Sequence, residues 1–119
     1  MTYYGQLKEA MTLLARDPRV LFLGQSVAYP GQAMHQTFAQ IPNNRRREFP
    51  VAEDFQMGYS LGLALTGILP VCVYPRFDFL LLAANQLVNH LDKAEDMGWP
   101  SAKVIIRTAV GAQHPIPRS

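Results

Sequence analysis

The chain has 119 residues, of which 49% are apolar and 17% charged, with a formal net charge of +2. That length supports one hydrophobic core, and so small a net charge excludes the broad basic field of a nucleic-acid binder. The charged share lies below the roughly 25% usual in soluble domains, which points to surface covered by a partner.

Leu7, Met11 and Leu14 recur at helical spacing, so Tyr3 to Ala15 is predicted as a helix that Asp17-Pro18 ends. Lys8 and Glu9 deny this N-terminal stretch the apolar core of a secretory signal. The apolar run Val20-Leu21-Phe22-Leu23, closed by Gly24, predicts a strand buried on both faces. Tyr29-Pro30-Gly31 reads as a turn and Gln32 to Gln40 as a short helix. Asn43 to Glu48 reads as a polar loop holding Arg45, Arg46 and Arg47. Phe49-Pro50-Val51 is predicted as a short second strand leading into Glu53.

From Phe55 to Pro75 the chain carries no charge, a length that raises the question of a membrane span. Gln56, Ser60 and Thr66 interrupt the run, and Gly67 to Pro70 reads as a turn, so no membrane segment is expected. The run divides into a helix over Asp54 to Thr66 and a third strand over Val71 to Tyr74. The helix is apolar or small all round, as one buried on several sides is. Gly58 and Gly62 each cost roughly 1 kcal/mol there relative to alanine, which predicts close approach of another backbone or a ligand. Cys72, the single cysteine, excludes an internal disulfide and reads as a buried, inert thiol of a reducing, cytoplasmic protein. Asp78 is a candidate N-cap for a helix reaching about Glu95, with Leu81, Ala84, Val88 and Leu91 on one stripe. Gly98-Trp99-Pro100 breaks the chain, and Lys103 to Arg107 is predicted as a fourth strand. Such alternation predicts an α/β fold: a single domain over 1–119, a three-layer sandwich with a mostly parallel and incomplete sheet.

Glu53 has two readings. An acid opening a helix interacts favourably with the helix dipole, by up to about 1 kcal/mol. An acid at the carboxyl end of a parallel strand also stands where open α/β sheets bind ligands; in apolar surroundings it can share a proton with a ring nitrogen. Phe77 and Phe79 are either core residues or a surface for stacking a flat ring. His114, in a glycine- and proline-rich loop, is exposed or functional, while His35 and His90 read as structural or solvent-facing. No H-x-x-x-H, H-E-x-x-H or carboxylate cluster supports a metal site. The three adjacent arginines read as a solvated loop or interface patch, and no G-x-G-x-x-G, P-loop or nucleophile elbow is present.

The order and spacing of these features resemble a known family. Arg16-Asp17-Pro18-Arg19-Val20 through Gly24 resembles its first helix-to-strand passage, and Glu53, Gly62, Gly67 and Pro70 follow its spacing. Phe77-Asp78-Phe79 with Asn85-Gln86, and Gly111-Ala112-Gln113-His114, resemble its aromatic pair and its histidine loop. Over almost the whole chain, the sequence resembles the pyrimidine-binding domain of thiamine-diphosphate-dependent, transketolase-like enzymes. The nearest likeness is to the β-subunit of 2-oxo acid dehydrogenase decarboxylase components of the pyruvate dehydrogenase type. The resemblance implies that Glu53 hydrogen-bonds the aminopyrimidine ring, that Phe79 with Phe77 packs on its face, and that His114 stands on the substrate side. It implies thiamine diphosphate as cofactor, with Mg²⁺ held by a partner: an α-type subunit or a diphosphate-binding domain.

Three departures qualify these expectations. Phe55 replaces a common glycine, the loop before His114 is short, and no Gly-Asp-Gly…Asn diphosphate motif is present. The chain also stops where the family continues. The expectation is therefore half a site, in a homo-oligomer or with a partner; the alternative is a truncated, non-catalytic structural module.

Overall fold

The structure, a computed structural model, describes residues 2–30 and 33–110. Helix α1 spans Tyr3–Leu14, and the Thr2 hydroxyl caps it by accepting from the Gly5 amide at 3.0 Å. The bend into strand β1, Val20–Gly24, is held by Asp17, which accepts from the Arg19 amide at 2.9 Å and pairs with its guanidinium at 2.8 Å. A 3-10 segment over Ala33–Phe38 replaces the short helix expected from Gln32 to Gln40. Strand β2 covers Arg46–Glu48, helix α2 Glu53–Leu65 and strand β3 Leu69–Tyr74. Short helices α3, Phe77–Leu81, and α4, Ala84–Gln86, lead into a π-helical turn, Leu87–Leu91, and then to β4, Ile105–Thr108.

The four strands are all parallel, in the order β2-β1-β3-β4. Alternation along each strand divides the side chains between two layers. Val20, Phe22, Val71 and Val73 meet Met11, Met34 and Phe38 on one face. Cys72 and Tyr74 meet Met57 and Ala83 on the other, with Phe79, Leu87 and Ile106 packed against them. Helical layers thus cover both faces, giving the expected three-layer α/β sandwich. Phe22 and Phe38 are fully buried, and burial of each stabilises by about 1.5–3 kcal/mol.

Five local expectations are corrected. The second strand is Arg46–Glu48, not Phe49–Val51, because the open edge of β1 takes its partners in the register Phe22↔Arg46, Leu23↔Arg47 and Gly24↔Glu48. Charged side chains suit an edge strand, and Arg45 fastens its start by donating to the Val20 and Asp17 carbonyls, each at 2.7 Å. Pro70 lies inside β3 rather than in the preceding turn, just before the β3–β4 ladder opens at Val71↔Ile105, so its missing amide removes no bond from that ladder. Gly67, with φ of +93°, makes the turn itself.

The helix expected from Asp78 to Glu95 is broken in two places, and Arg76 is its N-cap residue. Gln86 explains part of this: its amide donates to Asp54 at 3.3 Å, its oxygen meets His90 Nδ1 at 2.7 Å, and its side chain lies against Gly58. Gly58 therefore serves close approach by a side chain, whereas nothing among the described residues crowds Gly62.

Candidate functional site

Strand order changes direction between β1 and β3, and in open α/β sheets the crevice beyond the carboxyl ends at such a point binds ligands. Gly24 ends β1 with φ of +143°, and a Cβ there would fall 2.1 Å from the Val73 carbonyl oxygen. Only glycine permits that approach. The space lets Gln56, fully buried on α2, donate to the Val73 carbonyl at 3.0 Å and approach the Cys72 sulfur at 3.3 Å. Gln25 donates to the Gln56 side-chain oxygen at 2.9 Å and to the Pro50 carbonyl at 3.0 Å. These two amides tie the exits of β1, β2 and β3 into one satisfied network.

Glu48 closes the next turn. Its Oε2 accepts from the Ser26 amide at 2.9 Å, and its Oε1 accepts from Val27, Ala28 and Tyr29 at 3.0, 2.9 and 3.3 Å. Ser26 takes φ of +62°, the bend that turns successive amides toward one anion.

Glu53 stands in the first turn of α2, only 9% exposed. Its backbone carbonyl accepts from the Tyr74 hydroxyl at 2.9 Å, which locks the last residue of β3 to the helix start. Burial, followed by the neighbouring Cys72 and the Glu53 and Asp54 charges, pushes the Tyr74 phenol far above its ordinary range. Among the described residues the Glu53 carboxylate forms no ion pair or side-chain hydrogen bond. Its place in the first turn lets it interact favourably with the helix N-terminus, by about 1 kcal/mol at most.

Phe79 is half-buried in the layer that holds Tyr74 and Met57, while Phe77 is 45% exposed at the exit of β3, its amide bonded to the Ala109 carbonyl at 3.0 Å. The aromatic pair is thus divided, and Phe79 is the member that shares a layer with Tyr74. Thr108, paired in register with Tyr74, has a buried hydroxyl without a partner among the described residues. His114 and its loop lie outside the described residues. Sequence reading missed Gln25, Glu48, Gln56, Tyr74 and Thr108; the strand-ending Gly24, which makes room for Gln56, was the nearest signal to them. Arg45 and Arg46 are tied into the fold rather than solvated, Arg46 through the Val27 carbonyl and Asn43. His90 is half-buried on Gln86, as a structural histidine is. Among the described residues no group of histidines, cysteines and acids could hold a metal, and no helix is long and apolar enough to cross a membrane.

No protein-family model matches the chain. Curated relatives do match. The pyruvate dehydrogenase E1 component subunit beta of Staurastrum punctulatum is 38% identical over 94 residues, covering 76% of this chain and 29% of the relative. The mitochondrial subunit of that name from Bos taurus is 30% identical over 104 residues, 83% of this chain and 29% of the relative. The 2-oxoisovalerate dehydrogenase subunit beta of Bacillus subtilis is 28% identical over 118 residues, 93% of this chain and 36% of the relative.

This chain is a relative of the 2-oxo acid dehydrogenase E1 β-subunits. It spans 29–36% of the lengths of those three relatives. The three-layer fold agrees with the likeness to a transketolase-like pyrimidine domain, and Glu53 opens α2 at the carboxyl end of the parallel sheet.

Proposed function

We propose that this chain forms the pyrimidine-binding half of a thiamine-diphosphate site in an enzyme of the 2-oxo acid dehydrogenase type. The observation that carries the reading is the buried Glu53 carboxylate, held without a partner among the described residues at the carboxyl end of the sheet. An aminopyrimidine ring nitrogen supplies the hydrogen-bonding group that this carboxylate lacks, so the residues present fit the cofactor's ring. When bound, thiamine diphosphate provides the electron sink for cleavage next to a carbonyl.

The chain's own contribution is position and proton handling. Glu53 holds or shares one proton at its carboxylate. Tyr74 fixes the backbone beneath it, and the Gln25–Gln56 network fixes the turn that precedes it. Phe79, with Phe77 at the rim, offers the ring surface, and His114 belongs to the substrate side.

The diphosphate and its Mg²⁺ require a second chain or domain, here assigned to an α-type partner. The outer face of α2 is a docking surface of the right kind: Phe55 is 63% and Tyr59 39% exposed, and their rings cluster with Phe49 at centroid distances of 5.1–6.3 Å. A second copy of this chain is the other candidate occupant, which light scattering of the isolated chain separates from the first.

Calorimetric titration of thiamine diphosphate with Mg²⁺, with and without an α-type subunit, tests the reading. The expected outcome is binding only with the partner, lost in Glu53→Gln. Absence of binding under both conditions overturns it and leaves a structural module.

A further inference from the structure

A polar cleft of about 350 Å³ opens beside β2, walled by Ala28, Tyr29, Asn43, Arg46, Arg47 and Glu48. Arg46 is in register with Phe22, a member of the core that packs on α1, so its side chain leaves the sheet on that face. There it crosses the cleft. Its Nη1 donates to the Val27 carbonyl at 3.3 Å, and its Nη2 donates to the Asn43 side-chain oxygen. These two bonds set the guanidinium between the turn that carries Ala28 and Tyr29 and the 3-10 turn Asn43–Arg45, the two sides of the cleft.

Both acceptors are neutral, and Arg46 Nε is buried with no acceptor among the described residues. A guanidinium offers five N–H donors, so this cation keeps charge and hydrogen-bonding capacity that the described residues do not meet. Arg47, next along the strand, is exposed and forms no ion pair among them. Arg45 shows the contrast, since it spends its donors on the Val20 and Asp17 carbonyls and stands outside the cleft walls. The acid in the walls is already answered: Glu48 accepts four amides from Ser26 to Tyr29, whose dipoles offset its charge. Asn43 gives its oxygen to Arg46, which leaves its N–H groups for another acceptor, and Tyr29 is 68% exposed with its phenol at the rim.

We propose that this cleft binds a small oxyanion, a phosphate or carboxylate group, against Arg46. Arginine supplies planar, charge-assisted hydrogen bonds to such an anion, and the two bonds that fix this guanidinium spare the ligand the cost of ordering it. Arg47 adds the second positive charge, and Asn43 and Tyr29 add neutral donors. Free donors with a satisfied acid suit an anion and not a cation. The cleft lies on the α1 face, whereas Met57 of α2 packs on the other, so it stands or falls independently of the thiamine-diphosphate reading.

Inorganic phosphate titrated into the 119-residue chain tests it, at ionic strength held constant with chloride. The ¹⁵N resonances of the Arg46 and Asn43 side chains and thermal melting are the readouts, and acetate in a parallel series separates carboxylate from phosphate. The expected result is a saturable shift centred on Arg46 and Asn43 with a rise in Tm. Arg47→Gln weakens binding about threefold, as loss of one exposed charge contact does. Arg46→Lys keeps the charge but loses the planar fork, and weakens binding more than Arg47→Gln does. Saturation by one anion alone names the ligand class and supports the site. Shifts no greater than those with chloride, shifts spread over every basic side chain without saturation, or an affinity unaltered in Arg47→Gln overturn it. Arg47 is exposed, so its variant decides even if Arg46→Lys fails to fold.

Discussion

Two glutamates lie within one short stretch at the carboxyl end of the sheet, in opposite circumstances. Glu48, closing β2, receives four backbone amides and is wholly committed to holding the turn after β1. Glu53, opening α2, is buried and receives no side-chain hydrogen bond among the described residues. The difference separates a carboxylate committed to the fold from one without a side-chain hydrogen bond among the described residues. It also shows that acid, turn and strand end are poor markers of a site until hydrogen bonds are assigned to each oxygen.

The comparison breaks most visibly at Glu48. Its replacement by alanine strands four amides and frees Ser26 from its left-handed bend, so we expect a loss of about 3 kcal/mol, read by urea unfolding. Glu48→Gln keeps one oxygen for the Val27, Ala28 and Tyr29 amides and should lose only about 1 kcal/mol. Equal losses for the two variants would show that the amides do not depend on this carboxyl group.

Tyr74→Phe sharpens the contrast from beneath Glu53. Near neutral pH the lost hydrogen bond to the Glu53 carbonyl should cost about 1 kcal/mol. The folded state raises the phenol's affinity for its proton, so the unfolded chain releases that proton first, above its ordinary value of 10.0. Tyrosine's contribution is therefore fully present below about pH 10 and declines as pH rises further, by up to about 1.4 kcal/mol per pH unit. The variant lacks this limb. Unfolding measured at pH 7 and pH 11 should show the wild type's advantage shrinking or reversing, and a constant gap would contradict the assignment.

The parts read correctly from sequence are those with local signatures. β3 is an unbroken apolar run, and the acids Glu53 and Asp54 stand just before the uncharged stretch of α2, so Glu53 reads as opening a helix. β2 left no such trace, because Arg-Arg-Glu has low strand propensity; it is a strand only because β1 offers an unpaired edge. Gln25 and Gln56 are 31 positions apart, and two amides carry no periodicity that would join them. The helix after β3 was read as continuous because its apolar stripe is regular, yet Leu81 and Val88 are exposed, and Gln86 follows its bonds to Asp54 and His90 instead.

Glu53→Gln carries the smallest expected effect on stability and the largest on function. Its loss removes a favourable interaction with the helix N-terminus, worth at most about 1 kcal/mol. It also removes the desolvation of a charge with no partner, which acts in the other direction. The two oppose, so the midpoint of urea unfolding should stay within about 0.5 kcal/mol of wild type, in contrast to Glu48→Ala. A large destabilisation would mean that Glu53, like Glu48, is a structural acid. Stability unchanged together with loss of thiamine-diphosphate binding beside an α-type partner is the pattern of a carboxylate that the fold buries and leaves for a ligand.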